Sequence, residues 1–121
     1  MARAKPLKTY SVPIYTGRVE LYTDWDNFVA NASFCGEELS QWTSGCTIAS
    51  RNKSTNERIY MLGVFDGTLQ TAVHEMAHVA MMLLEDVGVK ANEGMGEPFC
   101  YLLDSIWKYF EKALLEHTQH G

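Results

Sequence analysis

No apolar run in this sequence approaches the roughly 18–20 residues that cross a membrane as a helix. The longest such run, residues 79–84, is far too short. Cysteine is scarce: Cys35, Cys46 and Cys100 are an odd number and form no Cys-x-x-Cys pair. That excludes a disulfide framework, leaves Cys35–Cys46 as a bridge possible only in principle, and suits a reducing cytoplasm. Basic charge is also short. Ten Lys and Arg face 15 Asp and Glu, a net charge of −5. A nucleic-acid backbone wants a basic face, so such a partner is not expected. Repeats, low-complexity tracts and linkers are missing too. Arg3, Lys5 and Lys8 imitate the basic start of a secretory signal, but no apolar segment follows them. The expectation is a frayed, solvated start over residues 1–9 and a loose tail over 117–121.

What is present is one domain's worth of chain. The 121 residues are 46% hydrophobic and 21% charged, an ordinary globular balance with enough length for one modest core. The first half has strand character. Residues 10–14 and 18–22 carry β-branched and aromatic side chains around Thr16-Gly17, a turn. Residues 24–32 predict a short helix capped by Thr23 or Asp24, with Trp25, Phe28 and Val29 on one face. Residues 37–44 are ambiguous. Residues 46–50 and 58–65 predict a hairpin across the polar loop 51–56. Asp66-Gly67-Thr68 then opens a helix over 69–86 that stops before Gly88. Residues 89–96 read as loop, and Pro98 begins a second long helix running to about Glu116. Strands first and long helices last is an α+β layout, with helices packed on a small antiparallel or mixed sheet.

Residues 74–78 read His-Glu-Met-Ala-His, the HExxH motif, in the middle of the first long helix. Four residues turn about 400° on a helix, so His74 and His78 stand about 40° apart, separated by about 6 Å of rise. That spacing lets two imidazoles share one metal ion, with Glu75 near enough to act on a water without ligating the ion. Nearly all the neighbouring residues are apolar, which predicts a helix buried all round. Three ionisable groups in such a helix need a partner, and zinc with its water would satisfy them together.

A catalytic zinc needs a third protein ligand. The pattern HExxHxxGxxH is not met, because Met81 and Leu84 stand at its glycine and final histidine. His117 and His120 read as solvated tail residues. Downstream carboxylates remain, Glu93 and Glu97. Glu97 is better placed, at the start of the second helix after a loop long enough to bring it back to the metal. Glu93 has fewer residues for that return and sits between two glycines. Glu97 also has a bland reading. It projects almost opposite the helix's apolar arc of Phe99, Leu102, Leu103, Ile106, Phe110 and Leu114, and so could simply head a solvated face.

Here residues 58–109 resemble the gluzincin branch of zinc metallopeptidases, in which HExxH on one helix is completed by a glutamate on a following helix. The small size is similar to that of minimal single-domain members and of the short HExxH proteins in phage genomes. The resemblance implies a zincin-like fold, a Zn2+ cofactor held by His74, His78 and Glu97, and peptide-bond hydrolysis with Glu75 as general base. The chain departs from the commonest gluzincin pattern at Tyr101, where an aspartate would stand. Asp104, two turns beyond Glu97, could take the role of a histidine's partner or be an ordinary surface acid.

In that mechanism zinc activates a water, Glu75 takes its proton and later delivers it to the leaving amine, and Tyr101 is the candidate donor to the oxyanion. Tyr101 could equally be a packing residue. Strand 58–65, if it lies at a sheet edge, could pair with an extended peptide or protein substrate. The main rival is a non-catalytic binding domain in which the same ligands hold a structural zinc. A third possibility is an interaction protein with degenerate peptidase geometry. Retained Glu75 favours chemistry, since a structural site needs no base. The aromatics Tyr10, Tyr15, Tyr22, Trp25, Phe28, Phe34 and Trp42 are either core or a partner surface.

Overall fold

A computed structural model describes residues 4–89 and 96–118. The elements run β1 (Lys8–Ser11), β2 (Arg18–Tyr22), α1 (Trp25–Phe34), β3 (Gly45–Arg51), β4 (Arg58–Val64), α2 (Leu69–Asp86) and α3 (Gly96–Thr118). The result is an α+β protein with a four-stranded mixed sheet in the order β1-β2-β4-β3. β1 and β3 are antiparallel to their neighbours, and β2 runs parallel to β4.

Side-chain alternation along the strands divides the core in two. Val19 and Leu21 of β2, with Tyr60, Leu62 and Val64 of β4, face α2 and α3. Tyr22, Ile59, Met61 and Ile48 face α1, where Phe28 and Ala32 meet them. β4 is covered on both faces and reads as an apolar run from Ile59 to Val64, whereas β2 alternates, with Arg18 and Glu20 at every second position among its apolar residues. α3 closes the first layer through Leu102, Ile106, Phe110 and Leu114, the middle and end of its expected arc, while Phe99 and Leu103 are half-buried. Each fully buried side chain of this kind contributes about 1.5–3 kcal/mol.

The local signals explain most boundaries. Asp24 caps α1 by accepting from the Asn27 N–H at 3.2 Å. Thr68 caps α2 in the same way through the Thr71 N–H. Gly88, with φ of +88°, ends α2; its N–H reaches Glu85 and the Val89 N–H reaches Leu84, satisfying two terminal carbonyls. The hairpin between β3 and β4 forms as expected, and residues 37–44 take neither helix nor strand.

Four expectations are corrected. β1 lies at Lys8–Ser11 rather than 10–14. Pro13 has no N–H to give, and Ile14 and Thr16 adopt φ of 67° and 59°, so residues 12–17 form the turn, closed by Val12 N–H to Gly17 O at 2.9 Å. Residues 4–9 are not frayed: Asn31 both donates to the Ala4 carbonyl and accepts from its N–H, and Leu7 N–H donates to Leu21 O. β4 is not an edge strand, since it lies between β2 and β3; the edge beside α2 is β3. Finally, α2 is not buried all round. Ala72, Glu75, Met76, Val79, Ala80, Leu83 and Leu84 are buried, whereas Val73, His74, His78 and Met81 are exposed. Its apolar outer positions have no layer above them among the described residues.

Candidate metal centre

The first turn of α2 is fixed by a small polar cluster. Asp66 accepts from the Thr68 N–H and hydroxyl and from the Thr71 hydroxyl, at 3.0, 2.9 and 2.7 Å. Desolvation pushes the Asp66 carboxyl upwards, but these hydrogen bonds outweigh it and hold the group below the usual carboxylate range. The residues that follow therefore enter the helix with a set rotation.

That rotation brings His74 and His78 onto one exposed stripe. Their Nε2 atoms lie 3.3 Å apart, with the rings at 73° to one another. A tetrahedral zinc with Zn–N distances of about 2.0–2.1 Å holds two nitrogens about 3.3–3.4 Å apart. The pair thus already spans one edge of such a coordination sphere. Without an ion, the same separation is a hydrogen bond between one protonated and one bare ring nitrogen.

Glu75 stands about 100° round the helix from His74 and turns inwards against β3. Only 9% of it is exposed. The Thr47 hydroxyl donates to its Oε1 at 2.8 Å, and also lies 3.2 Å from its main-chain carbonyl. Oε2 lies on the side of Gly45, where a Cβ would come within 3.2 Å of it, 2.9 Å of Glu75 Cγ and 2.5 Å of Thr71 Cγ2. Gly45 is therefore required here by the close approach of α2. An open cleft of about 380 Å³ begins at this point, lined by Thr43, Ser44, Gly45, Gln70, Thr71, His74 and Glu75.

The other expected site residues stand as follows. Glu97 is exposed in the first turn of α3. Among the described residues, no three or more His, Cys, Asp and Glu side chains are gathered into one ion-binding group. Glu93 and His120 lie outside the described residues. Tyr101 is 72% exposed on α3. Asp104 is an exposed acid whose Oδ2 lies 3.9 Å from Lys108 Nζ one turn on, the arrangement of a surface pair. His117 is exposed, but it is part of α3 and lines a small pocket with Thr23, Val64, Phe65, Gly67 and Leu114.

Cys35, Cys46 and Cys100 are free thiols. Burial pushes the Cys46 thiol up, and the carboxylates of Glu75 and Glu37 add to the effect, so it stays protonated and is a poor ligand or nucleophile. Two site residues escaped the reading of the sequence, Gly45 and Thr47. The signal for them was the alternation of β3, which sets Gly45, Thr47 and Ala49 on one face. Three small side chains on one strand face mark where a helix packs closely.

No helix among the described residues is long and apolar enough to cross a membrane. No protein-family profile matches the chain, and no curated protein or solved structure matches it either, so its likeness to the gluzincins rests on the residues of its motif.

Proposed function

We propose that this protein is a zinc-dependent metallopeptidase of zincin-like construction, with His74 and His78 as metal ligands, Glu97 as the third ligand and Glu75 as general base. The observation that carries the reading is the pair of convergent imidazole nitrogens, 3.3 Å apart, beside a carboxylate that opens onto a cleft. Two ligands fit the ion as they stand; the third rests on the resemblance to the gluzincin pattern. When bound, zinc would supply a Lewis acid that makes water acidic near neutral pH and polarises a carbonyl.

The chain's own residues do the rest. Glu75 takes a proton from water, leaving the electron pair on the water oxygen to form the new bond to the peptide carbonyl carbon. As the C–N bond breaks, the same proton passes from Glu75 to the amine nitrogen. Peptide and water are consumed, acid and amine are formed, and Glu75 ends as it began. Tyr101 is the proposed oxyanion donor; its exposed place on α3 argues against the packing role.

An extended substrate has a natural track along β3. Phe65 N–H donates to Ser44 O, so Ser44 and alternate residues after it bond to β4. The main-chain groups of Gly45, Thr47 and Ala49 then point off the sheet edge towards a peptide strand laid beside Glu75, the Gly45 carbonyl already accepting from the Thr43 hydroxyl at 3.3 Å. Three free thiols accord with a reducing, cytoplasmic setting.

The alternative is a non-catalytic zinc-binding interaction domain. It is favoured by the exposure of both histidines between exposed Val73 and Met81. One experiment separates the two. Purified protein should take up about one equivalent of zinc, and Glu75→Gln should keep the zinc while losing hydrolysis of casein or of a mixed fluorogenic peptide pool. Zinc uptake without hydrolysis in the unaltered protein selects the alternative. Glu97→Ala should weaken zinc binding; unchanged affinity removes Glu97 from the ligand set.

A further inference from the structure

The two oxygens of Glu75 have different surroundings. Oε1 accepts from the Thr47 hydroxyl at 2.8 Å, and that hydroxyl is also braced against the Glu75 main-chain carbonyl. Oε2 accepts no hydrogen bond among the described residues, yet it is not sealed in. Among the described residues the fully buried side-chain polar atoms without a partner are Arg18 Nε and Arg58 Nε, so Oε2 keeps its contact with solvent. Its neighbour is Gly45, which lines the same cleft and where a Cβ would press on Thr71 Cγ2 at 2.5 Å, Glu75 Cγ at 2.9 Å and Oε2 at 3.2 Å.

We propose that Thr47 and Gly45 are positioning residues that make Glu75 a one-sided base. Thr47 ties Oε1 to β3, and Gly45 keeps the approach to Oε2 open, so that Oε2 is the atom that takes the proton from water. This rests on the peptidase reading of the same site. The physical reasons are two. A carboxylate free to rotate about its last torsion spends part of its time turned away, whereas a donor fixed on a strand holds one plane. The Thr47 hydroxyl also occupies one side of Oε1, whereas Oε2 stands beside the cleft, where a water can reach it. Placing the donor on β3 also couples the base to the strand along which a peptide would lie.

The test uses the full chain loaded with zinc, and three variants. Thr47→Val removes the donor at nearly equal volume, Thr47→Ser restores it, and Gly45→Ala sets a methyl group against Oε2 and the α2 side chains beside it. Thr47→Val should lower kcat about tenfold to a hundredfold with KM and zinc affinity little changed, and Thr47→Ser should recover most of it. Gly45→Ala should lose hydrolysis while binding zinc. A second readout needs no activity: nuclear Overhauser contact between the Gly45 α-protons and the Glu75 γ-protons. It should be strong in the unaltered protein and in Thr47→Ser, and weak in Thr47→Val. Retained contact and retained kcat in Thr47→Val would overturn the proposal. If the unaltered, zinc-loaded protein hydrolyses nothing, the peptidase reading fails by itself, and the contact measurement still decides whether Thr47 holds Glu75.

Discussion

Two glutamates are buried among the described residues, and they are buried in opposite ways. Glu20, on the α1 side of the sheet, has both oxygens engaged: Tyr22 donates to Oε1 at 2.7 Å and Arg18 lies 3.1 Å from Oε2. Tyr22 in turn accepts from Asn31, which also grips the Ala4 main chain. Glu75, on the α2 side, has one neutral donor and an open cleft. Burial alone therefore does not distinguish an acid held at both oxygens from the one proposed as a base. The partners do: Glu20 is held at both oxygens, at one of them by a guanidinium, whereas Glu75 is tied at one oxygen and leaves the other beside a cleft.

The sharpest way to break this comparison is to remove each acid. Glu20→Ala removes the acceptor of the Tyr22 hydroxyl and one of the two carboxylates beside Arg18, leaving Glu57, and should cost about 2–4 kcal/mol, measured by urea unfolding. Glu75→Gln keeps an oxygen for Thr47 and should cost less than about 1 kcal/mol. Equal losses would erase the distinction.

A large effect is next expected on metal rather than on stability. His74→Ala and His78→Ala should each weaken zinc binding by more than about a hundredfold, read by competition with a chromophoric chelator. Being exposed, both should change the stability of the metal-free fold by no more than about 0.5 kcal/mol. A variant that unfolds instead would show that the pair belongs to the core.

Smaller effects concern the two ends of α2. Near its C-terminus, Tyr60 donates to Asp86 at 2.5 Å. Burial, then this hydrogen bond and the Asp86 charge, raise the Tyr60 phenol far above its ordinary value. Folding thus favours the neutral phenol. The resulting stability is complete below about pH 10 and is lost as the pH climbs towards the raised value. Tyr60→Phe should cost about 1 kcal/mol at neutral pH and flatten the alkaline limb of the unfolding profile. A profile unchanged above pH 10 would contradict the assignment.

The smallest effect belongs to Asp66. Its carboxyl is held low, so its contribution is present above about pH 4 and is lost as the pH falls through the lowered value. Asp66→Asn should flatten that acid limb and speed hydrogen exchange in the first turn of α2. An acid limb as steep as that of the unaltered protein would show that the cap cluster does not hold the helix start.

Local chemistry written in the chain was legible as sequence. Thr68 and Gly88 bound α2 because capping and left-handed termination act within a few residues. The histidine pair follows from helical spacing alone, which is why HExxH could be read before any tertiary contact was known. The sheet's hairpins were equally local, the β1 boundary apart.

Longer-range facts were decided only by packing. The six-residue apolar run of α2 suggested a helix buried all round, but hydrophobicity does not count how many layers are available to cover it. One sheet face and α3 cover one side of α2, and His74 and His78 are left outside. That β4 lies inside the sheet and β3 at its edge follows from the parallel pairing of β2 with β4 across an intervening helix and strand, a partnership between distant residues. The hold on Glu75 is of the same kind. Thr47 and Gly45 lie 28 and 30 positions away in the chain, and only the docking of α2 on β3 gives a hydroxyl and a missing side chain their meaning.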